Sequence, residues 1–314
     1  MLVLVTGAAG FIGSNLTEEL LRKGHQVVGF DNFHPFYEPA IKWHNLEQSS
    51  LMPGFRLIEG DIRDRSALRG IFESCEVDAV VHLAAMAGVR PSIHEPLLYA
   101  DVNLTGTMVL LEEMRDAKVG RLVFGSSSSV YGGSADVPFR EDQPADRPVS
   151  PYAATKRAGE VLCHAHHHLF GLDVACLRFF TVYGPRQRPE MAIHAFTRKI
   201  LEGTPIPFFG DGSTRRDYTY ISDIVEGIMG ALERARGYEI YNLGRADTIS
   251  LQDLVRLIED KVGRSAVLNR LPDQPGDVPI TYADVNKAAN HIDYIPKIDI
   301  STGINRFIEW YRES

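Results

Sequence analysis

A tyrosine and a lysine four residues apart, Tyr152 and Lys156, have the types and spacing needed to move a proton. Side chains at positions i and i+4 of a helix share a face, so the phenol and the ammonium can point into one cleft. A neighbouring cation lowers the pKa of a phenol, which can then take a proton from a substrate hydroxyl near neutral pH. The alternative is a tyrosine on a core stripe beside a solvated lysine.

Four consecutive serines, Ser126 to Ser129, lie between Gly125 and Gly132. They follow an apolar run that predicts a strand, so their hydroxyls can hydrogen-bond to a reacting oxygen at the end of that strand. A serine-rich turn without a chemical role is the alternative for two of the four.

Three glycines, Gly7, Gly10 and Gly13, follow the first predicted strand and begin the first predicted helix. Glycines there let the backbone turn tightly and approach a pyrophosphate, and the helix N-terminus offers free N–H groups. A tight strand-to-helix turn also favours glycine. The position directly after the first strand favours dinucleotide binding.

Two aspartates follow the next strands. Asp31 ends the second predicted strand, 18 residues after Gly13. A carboxylate there can accept hydrogen bonds from both ribose hydroxyls of adenosine and would repel a 2′-phosphate, so we expect NAD rather than NADP. The alternative is an aspartate that caps the turn before Asn32. Asp61 follows the third predicted strand, where it can reach an adenine or be a solvated turn acid.

The elements that must position these residues alternate between apolar runs and helical patterns. Strands are predicted at 2–5, 27–30, 55–59, 79–83, 121–124, 174–179 and 240–243, and helices at 16–22, 109–114, 151–169, 223–234 and 251–261. Continuous apolar strands alternating with helices predict a parallel sheet covered on both faces, with ligands at the carboxyl ends of its strands. After residue 180, prolines and glycines interrupt the pattern.

We therefore expect an α/β fold, a Rossmann-type doubly wound parallel sheet with a smaller mixed α/β C-terminal lobe. The predicted division assigns residues 1–180, with about 217–247, to a dinucleotide-binding domain. Residues 181–216 and 248–314 form the predicted lobe that binds the other substrate.

Composition limits the class of partner. The 314 residues carry a net charge of −8, which argues against broad binding of nucleic acid or anionic membranes. No apolar run approaches the roughly 20 residues of a membrane span, and the first residues read as a buried strand rather than a signal peptide. Cys75, Cys163 and Cys176 lack metal-ligand spacing, so we expect reduced thiols and a cytoplasmic protein.

These motifs together resemble the extended short-chain dehydrogenase/reductase family, the NAD-dependent sugar-nucleotide epimerases and dehydratases. The resemblance covers nearly the whole chain, and the stretches 87–90 and 178–192 are most similar to UDP-glucuronate 4-epimerases. It implies an enzyme in which Tyr152, Lys156 and Ser127 are catalytic. It also implies cofactor contacts from Gly7, Gly10, Phe11, Ile12, Gly13, Asp31, Asn32, Asp61, Ile62, Leu83, Ala84, Ala85, Asn103, Ser126, Tyr152, Lys156 and Phe179.

The resemblance also implies a reaction and a substrate site. Tyr152 would take the proton of the sugar C4 hydroxyl while hydride moves to NAD, and the 4-ketose would turn over before hydride returns to its other face. The residues expected to hold the UDP-sugar are Arg90, Ser127, Ser128, Thr181, Arg186, Arg188, Met191, Arg216 and Asp277. Among them, Ser128, Thr181, Arg90 and Arg188 are the candidates for the sugar carboxylate, and solvated loop charges are the alternative for the arginines.

Two positions distinguish related reactions. The 4,6-dehydratases of the family carry Asp and Glu at the positions of Ser128 and Ser129. The UDP-glucuronate decarboxylases carry Glu at the position of Ser129. A hydroxyl is a poor general base beside a carboxylate, so the sequence disfavours both reactions. A 4-epimerase of UDP-glucose or UDP-N-acetylglucosamine, and a non-catalytic NAD sensor, remain as alternatives.

The remaining expectations concern the nucleotide, metals and assembly. Gln274 stands where many relatives carry a phosphate-binding arginine, beside the ribose-binding pair Gly276 and Asp277. His164 and His168 have an i,i+4 spacing that could bind a metal, but an exposed helix face explains them and we expect no metal site. Helices in that position pair across a two-fold axis in the family, which implies a homodimer.

Overall fold

The structure, a computed structural model, describes residues 1–273 and 277–313. Its strands are β1 (Leu2–Thr6), β2 (Gln26–Asp31), β3 (Phe55–Glu59), β4 (Ala79–His82), β5 (Arg121–Ser127), β6 (Asp173–Phe179), β7 (Thr181–Tyr183), β8 (Ile206–Phe209), β9 (Arg215–Arg216), β10 (Tyr218–Tyr220), β11 (Tyr238–Leu243), β12 (Ile249–Ser250) and β13 (Leu268–Leu271).

The helices cover most of the remaining described chain. They are α1 (Phe11–Arg22), α2 (Pro39–Ser50), α3 (Arg65–Ser74), α4 (Val89–His94), α5 (Pro96–Ala100), α6 (Gly106–Asp116), α7 (Pro151–Phe170), α8 (Ala192–Glu202), α9 (Ile221–Arg234), α10 (Leu251–Val262), α11 (Asn286–Ile292) and α12 (Ile300–Glu313). A π-helical turn spans Asp101–Thr105, and a 3-10 turn spans Ser128–Tyr131.

Seven parallel strands form the main sheet, in the order β11-β6-β5-β4-β1-β2-β3. The order from β3 to β6 is the doubly wound 3-2-1-4-5-6 arrangement, so the predicted fold class is confirmed. All carboxyl ends of these strands meet at one edge, and the strand order reverses direction between β1 and β4 in the middle of the sheet. The glycine loop, Asp31 and the serine run all begin at that edge.

Helices cover both faces of the sheet because successive side chains of a strand point to opposite faces. Val3 and Val5 of β1 belong to a core cluster with α1 and α9, whereas Leu4 belongs to a second cluster with α3, α6 and α7. Both faces of β1 are therefore buried, as its unbroken apolar sequence indicates.

The rest of the chain contributes short paired strands and helices beside the carboxyl edge. β7 pairs with β10, β8 with β13 and β9 with β12, while α8, α10 and α12 pack with them in one core cluster. β11 leaves this region to join β6 in the main sheet. In the described part of the chain, no helix combines the length and apolar character needed to cross a membrane.

Candidate active site

The loop from β1 to α1 is built for close approach of a ligand to the backbone. Gly7 has φ +73°, a conformation that a residue with a side chain adopts at a cost. A Cβ on Gly13 would collide with the Gly7 carbonyl oxygen. Gly10 caps α1 without any side-chain hydrogen bond, so no capping side chain covers the first N–H groups of that helix. This geometry suits an anion such as a pyrophosphate.

Asp31 ends β2 beside this loop and is nearly buried. Its carboxylate accepts hydrogen bonds from the backbone N–H of Ala9 at 3.0 Å and of Phe33 at 2.8 Å. Each carboxylate oxygen has a second lone pair, so this cavity-lining group can also accept ribose hydroxyls. The neighbouring Asn32 donates to Asp61 at 2.9 Å, and hydrogen bonds from Arg63 hold the pKa of Asp61 well below its usual range.

Tyr152 and Lys156 occupy the first turns of α7. The Ser150 hydroxyl caps this helix by accepting from the Ala153 N–H at 3.1 Å, and Pro151 fits its first turn. The Lys156 Nζ donates to the Gly125 carbonyl at 2.7 Å, which ties the helix to the end of β5. Burial lowers the pKa of Lys156 to about 8, against the raising effect of nearby Cys163 and Glu160.

The sequence predicts a lowered pKa for Tyr152. This prediction is wrong when only the groups of the protein act on the phenol. Burial raises the pKa of Tyr152 above its ordinary value, although a hydrogen bond from Ser127 and the charge of Arg188 act to lower it. The phenol is buried, so the desolvation cost of the phenolate exceeds what these two groups return. Further positive charge is needed to make the phenolate accessible near neutral pH.

The serine run forms the turn opposite Tyr152. Ser127 accepts a hydrogen bond from the Ser129 N–H at 3.2 Å and from its hydroxyl at 2.8 Å, which fixes the 3-10 turn. Ser128 lines the same cavity from the first position of the turn. The Ser126 hydroxyl instead donates to the buried carboxylate of Glu160 at 2.6 Å.

One cavity of about 480 Å³ joins these groups, within the range of small-molecule sites. The predicted residues that line it are Gly7, Gly10, Phe11, Ile12, Gly13, Asp31, Asn32, Ile62, Leu83, Ala84, Ala85, Ser126, Ser127, Ser128, Tyr152, Lys156, Phe179, Thr181, Arg188, Met191, Arg216 and Asp277. The cofactor and substrate residues predicted from the sequence therefore share one continuous space.

Four predicted residues do not line this cavity. Asp61 lies behind Asn32, as described above. Asn103 is buried, exchanges hydrogen bonds with the Met86 backbone at 2.8 and 3.0 Å, and donates to Thr155 at 3.0 Å, so it holds the cavity wall from behind.

The other two are arginines whose charges are already paired. Arg90 forms an ion pair with Asp277 at 2.8 Å and lies over the Phe209 ring. Arg186 forms an ion pair with Glu18 of α1 at 2.6 Å. The structure thus brings Arg90 to a substrate candidate but uses Arg186 to join its loop to α1.

Arg188 has a different environment. Among the described residues its ionic partner is Glu190 at 3.2 Å, and its guanidinium lies over the Phe36 ring. Its side chain is 20% exposed and its charge lowers the pKa of Tyr152. A guanidinium with free N–H groups beside the catalytic phenol can bind a planar carboxylate with two hydrogen bonds.

The predicted site residues do not include every residue of the cavity wall, and among those absent are His34, Tyr37 and Lys42. Lys42 is buried, its Nζ donates to the His34 carbonyl at 2.8 Å and lies over the Tyr37 ring. The Tyr37 hydroxyl and the His34 Nδ1 are buried without a hydrogen-bond partner in the described part of the chain. Nothing in the sequence marks Lys42 as a buried lysine.

The remaining predictions have mixed outcomes. Arg216 lines the cavity, and its Nη1 donates to the Arg215 carbonyl at 2.9 Å. Gln274 and Gly276 lie outside the described residues. His164 and His168 are exposed as expected, whereas His166 is buried and hydrogen-bonds to the Leu162 carbonyl at 3.1 Å.

Comparison with known proteins assigns the family. A sequence model of the NAD dependent epimerase/dehydratase family matches residues 3–244. The chain belongs to this family. The predicted family and the prediction of an NAD-dependent epimerase are thereby confirmed.

Several members of the NAD dependent epimerase/dehydratase family are similar over their whole length. A UDP-glucuronate 4-epimerase of Thermodesulfobacterium geofontis is 44% identical over 99% of this chain and 96% of its own. The crystal structure of UDP-glucuronic acid 4-epimerase from Bacillus cereus with UDP-glucuronic acid and NAD has a TM-score of 0.94 at 38% identity, covering 100% of this chain and 99% of that one. A UDP-glucose 4-epimerase of Thermotoga maritima with UDP-glucose has a TM-score of 0.92 at 31% identity, covering 100% and 99%.

Proposed function

We propose that this protein is a UDP-glucuronate 4-epimerase that interconverts UDP-glucuronate and UDP-galacturonate with NAD as its resident cofactor. The observation that carries the proposal is one cavity in which Tyr152, Ser127 and Lys156 lie beside a dinucleotide-binding loop together with Arg188, whose guanidinium pairs with the exposed Glu190 through Nε. The similar UDP-glucuronate 4-epimerases support the same substrate.

The residues of the cavity fit NAD. Gly13 lets α1 pack closely against the backbone of Gly7, the N–H groups of α1 can hold the pyrophosphate, and Asp31 can accept the ribose hydroxyls. NAD, when bound, accepts a hydride from the sugar and returns it. Its positively charged ring would also supply the charge that the Tyr152 phenolate lacks in the protein alone. We therefore propose contacts from the predicted cofactor residues that line the cavity, with Asp61 acting through Asn32 and Asn103 acting through the Met86 backbone.

Proton transfer is the role of the residues on α7 and the serine turn. Tyr152 as phenolate takes the proton of the C4 hydroxyl and later returns it, and Ser127 donates a hydrogen bond to the C4 oxygen. Lys156, one turn of α7 after Tyr152 and held by the Gly125 carbonyl, lines the same cavity, where its ammonium would bind the cofactor. Burial of this site excludes water from the reactive ketone between the two hydride transfers.

The position in which the sugar carboxylate is held decides whether epimerisation proceeds without loss of CO2. A 4-keto uronate is a β-keto acid, which loses CO2 when the C5–carboxylate bond lines up with the carbonyl π system. Arg188, Ser128 and Thr181 line the cavity where they can grip the carboxylate away from that alignment. Arg90, paired with Asp277, is better placed for the nucleotide end than for the carboxylate.

The nucleotide lies at the other end of the same cavity. Arg216 of β9 and Asp277 line that end, together with Met191 at the start of α8. The guanidinium of Arg216 can neutralise a phosphate and the Asp277 carboxylate can accept ribose hydroxyls. We propose that this end is the inner wall of the lobe formed by residues 181–216 and 248–314.

We also propose that the enzyme is a cytoplasmic homodimer. Leu97 of α5 and Val161 and Leu169 of α7 are exposed at 84%, 52% and 66%, an apolar surface that a second copy of these helices could cover. The three cysteines are free, which agrees with a reducing compartment. Sedimentation analysis of the purified protein tests the dimer directly.

A substrate panel tests the proposed activity. Purified protein incubated with UDP-glucuronate, without added NAD, should give UDP-galacturonate, identified by NMR. UDP-glucose and UDP-N-acetylglucosamine should turn over far more slowly, because they offer Arg188 no carboxylate. Equal turnover of UDP-glucose would favour a neutral-sugar epimerase, and release of CO2 with a pentose product would favour a decarboxylase.

A further inference from the structure

A buried ion pair lies directly behind the catalytic residues. Glu160 of α7 and Arg178 of β6 are 0% and 1% exposed. The Arg178 guanidinium donates to Glu160 through Nε at 2.9 Å and through Nη2 at 2.9 Å, a two-pronged contact between helix and sheet. Burial raises the pKa of the Glu160 carboxyl, but the hydrogen bonds and the charge of Arg178 outweigh this effect. The pKa therefore lies below its ordinary value, and the carboxylate is ionised.

Stability alone does not account for such a pair. Removing two charges from water is costly, and apolar side chains of similar volume often stabilise a protein as well or better. The ion pair instead connects residues of the reaction site to one another. Glu160 is four residues after Lys156 and eight after Tyr152, so the three side chains share one face of α7.

Two consecutive residues of β5 are tied to this face of α7. Lys156 donates to the Gly125 carbonyl at 2.7 Å, and Glu160 accepts from the Ser126 hydroxyl at 2.6 Å. The next residue of β5 is Ser127, which hydrogen-bonds to Tyr152. The separation of Ser127 from Tyr152 is therefore set by how firmly Gly125 and Ser126 are held against the helix.

Arg178 extends the same contact to the far side of the serine turn. Its guanidinium lies over the ring of Tyr131, the last residue of the turn, at 4.7 Å. The Tyr131 hydroxyl in turn donates to Asn242 of β11 at 2.7 Å. The segment that carries Ser127 and Ser128 is thus held by Glu160 at Ser126, just before it, and by Arg178 at Tyr131, the last residue of the turn.

We propose that Glu160 and Arg178 are positioning residues that hold Ser127 at the catalytic phenol. The pair acts through the Ser126 hydroxyl and the Tyr131 ring rather than by touching substrate. This inference rests on the proposed function for its kinetic test and stands without it for its spectroscopic test.

Two variants loosen the contact without leaving Arg178 uncompensated. Ser126→Ala removes the hydroxyl that donates to Glu160 and leaves the ion pair of Glu160 with Arg178 in place, and expressing kcat per bound NAD separates any effect on the cofactor, whose cavity Ser126 also lines. Glu160→Asp keeps the charge but shortens the side chain by one carbon–carbon bond, about 1.5 Å, so that it cannot reach both partners. Arg157→Ala is the matched control, because Arg157 pairs with Glu160 at 2.9 Å from the solvent side and is 34% exposed.

The expected result is a loss of kcat at nearly constant KM. A misplacement of about 1 Å can cost on the order of a hundred-fold in rate. We expect kcat per bound NAD to fall about ten-fold in Ser126→Ala and up to about a hundred-fold in Glu160→Asp. Arg157→Ala should stay within about two-fold of wild type, because Arg178 and Ser126 still hold the Glu160 carboxylate in its absence.

A second readout needs no turnover. Ser127 lowers the pKa of Tyr152, so loosening Ser127 should raise it. An ultraviolet titration of tyrosinate, with Tyr152→Phe subtracted to isolate this phenol, should show a higher Tyr152 pKa in Ser126→Ala and Glu160→Asp than in wild type. In the pH profile of kcat, the acidic limb, along which kcat falls as Tyr152 becomes protonated, should move to higher pH by the same amount.

The outcomes are separable. If both variants keep the wild-type kcat per bound NAD and the wild-type Tyr152 pKa, losing only thermal stability, the pair is merely structural and the inference is overturned. It is overturned as well if Arg157→Ala shifts the pKa as much as the other two. If wild type turns over no UDP-sugar, the proposed function fails, and the Tyr152 titration alone decides the inference.

Discussion

Replacing Arg188 with methionine tests how the enzyme distinguishes a uronate from a neutral sugar. Methionine keeps an unbranched apolar side chain beside the Phe36 ring, although it is shorter than arginine, and the charge is lost. Removing this charge should also raise the pKa of Tyr152, because Arg188 acts to lower it. That effect applies to every substrate, whereas the loss of carboxylate binding applies to a uronate alone.

The size of the effect follows from the surroundings of Arg188. At an effective dielectric constant of about 20, two unit charges about 4 Å apart attract by about 4 kcal/mol. Desolvation takes back part of this, leaving about 1.5–3 kcal/mol for a hydrogen bond to a charged group. At about 1.4 kcal/mol per ten-fold, kcat/KM for UDP-glucuronate should fall by about 10- to 150-fold. The competing Glu190 is 44% exposed, so it offsets little of this.

Steady-state kinetics with two substrates provide the assay. UDP-glucose lacks the carboxylate, so its low kcat/KM should fall in Arg188→Met only by the effect of the lost charge on Tyr152, and the loss for UDP-glucuronate should exceed it. Glu190→Gln is the matched control: it removes the exposed partner and should change kcat/KM for UDP-glucuronate by less than about five-fold. An equal loss on both substrates would refute the carboxylate role of Arg188.

Three further variants probe the cofactor loop and the proton-transfer groups. Tyr152→Phe should lower turnover by about 10²–10⁴-fold while NAD remains bound, measured as product formed and NAD released on denaturation; retained activity would remove Tyr152 from its role. Lys156, whose pKa burial lowers to about 8, should lose its charge above that pH and with it a charged hydrogen bond to the bound cofactor, giving a falling alkaline limb of kcat. Lys156→Arg stays protonated, so the limb should disappear from its slower pH profile, and persistence of the limb would assign it elsewhere. Gly13→Ala should yield protein without NAD, since its Cβ meets the Gly7 carbonyl, and a normal NAD content would contradict the tight approach.

Much of the site could be predicted from sequence because its chemistry is local. The spacing Gly7–Gly13 and the pair Tyr152 and Lys156 each form their geometry within one loop or one helix turn. The alternation of apolar strands and helices then fixes a parallel sheet, which brings the ends of β1, β2 and β5 to one edge. Neither step requires knowledge of distant contacts.

What the sequence could not show depends on contacts across the fold. Arg186 looked like a phosphate ligand, but Glu18, 168 residues away, takes its charge. Lys42 resembles any solvated helical lysine until α2 packs it beside the cofactor loop. The pKa of Tyr152 depends on burial that no neighbouring residue type records, which is why the expected lowering by Lys156 did not hold.

The cavity wall shows the same limit. Asn103 was expected to contact the cofactor, yet its side-chain amide is hydrogen-bonded to the Met86 backbone and to Thr155. Glu160 and Arg178 carried no motif of their own, because they meet only when α7 packs on β5 and β6. Buried polar pairing of this kind is a property of the tertiary structure rather than of local spacing.

The central claim is that the C4 carbon–hydrogen bond breaks and the same hydride returns from a cofactor that stays bound. UDP-glucuronate carrying deuterium at C4, incubated in ordinary water without added NAD, tests this directly by NMR. The account predicts UDP-galacturonate that keeps deuterium at C4 and forms more slowly than from unlabelled substrate. A product that carries hydrogen from water at C4 would contradict it.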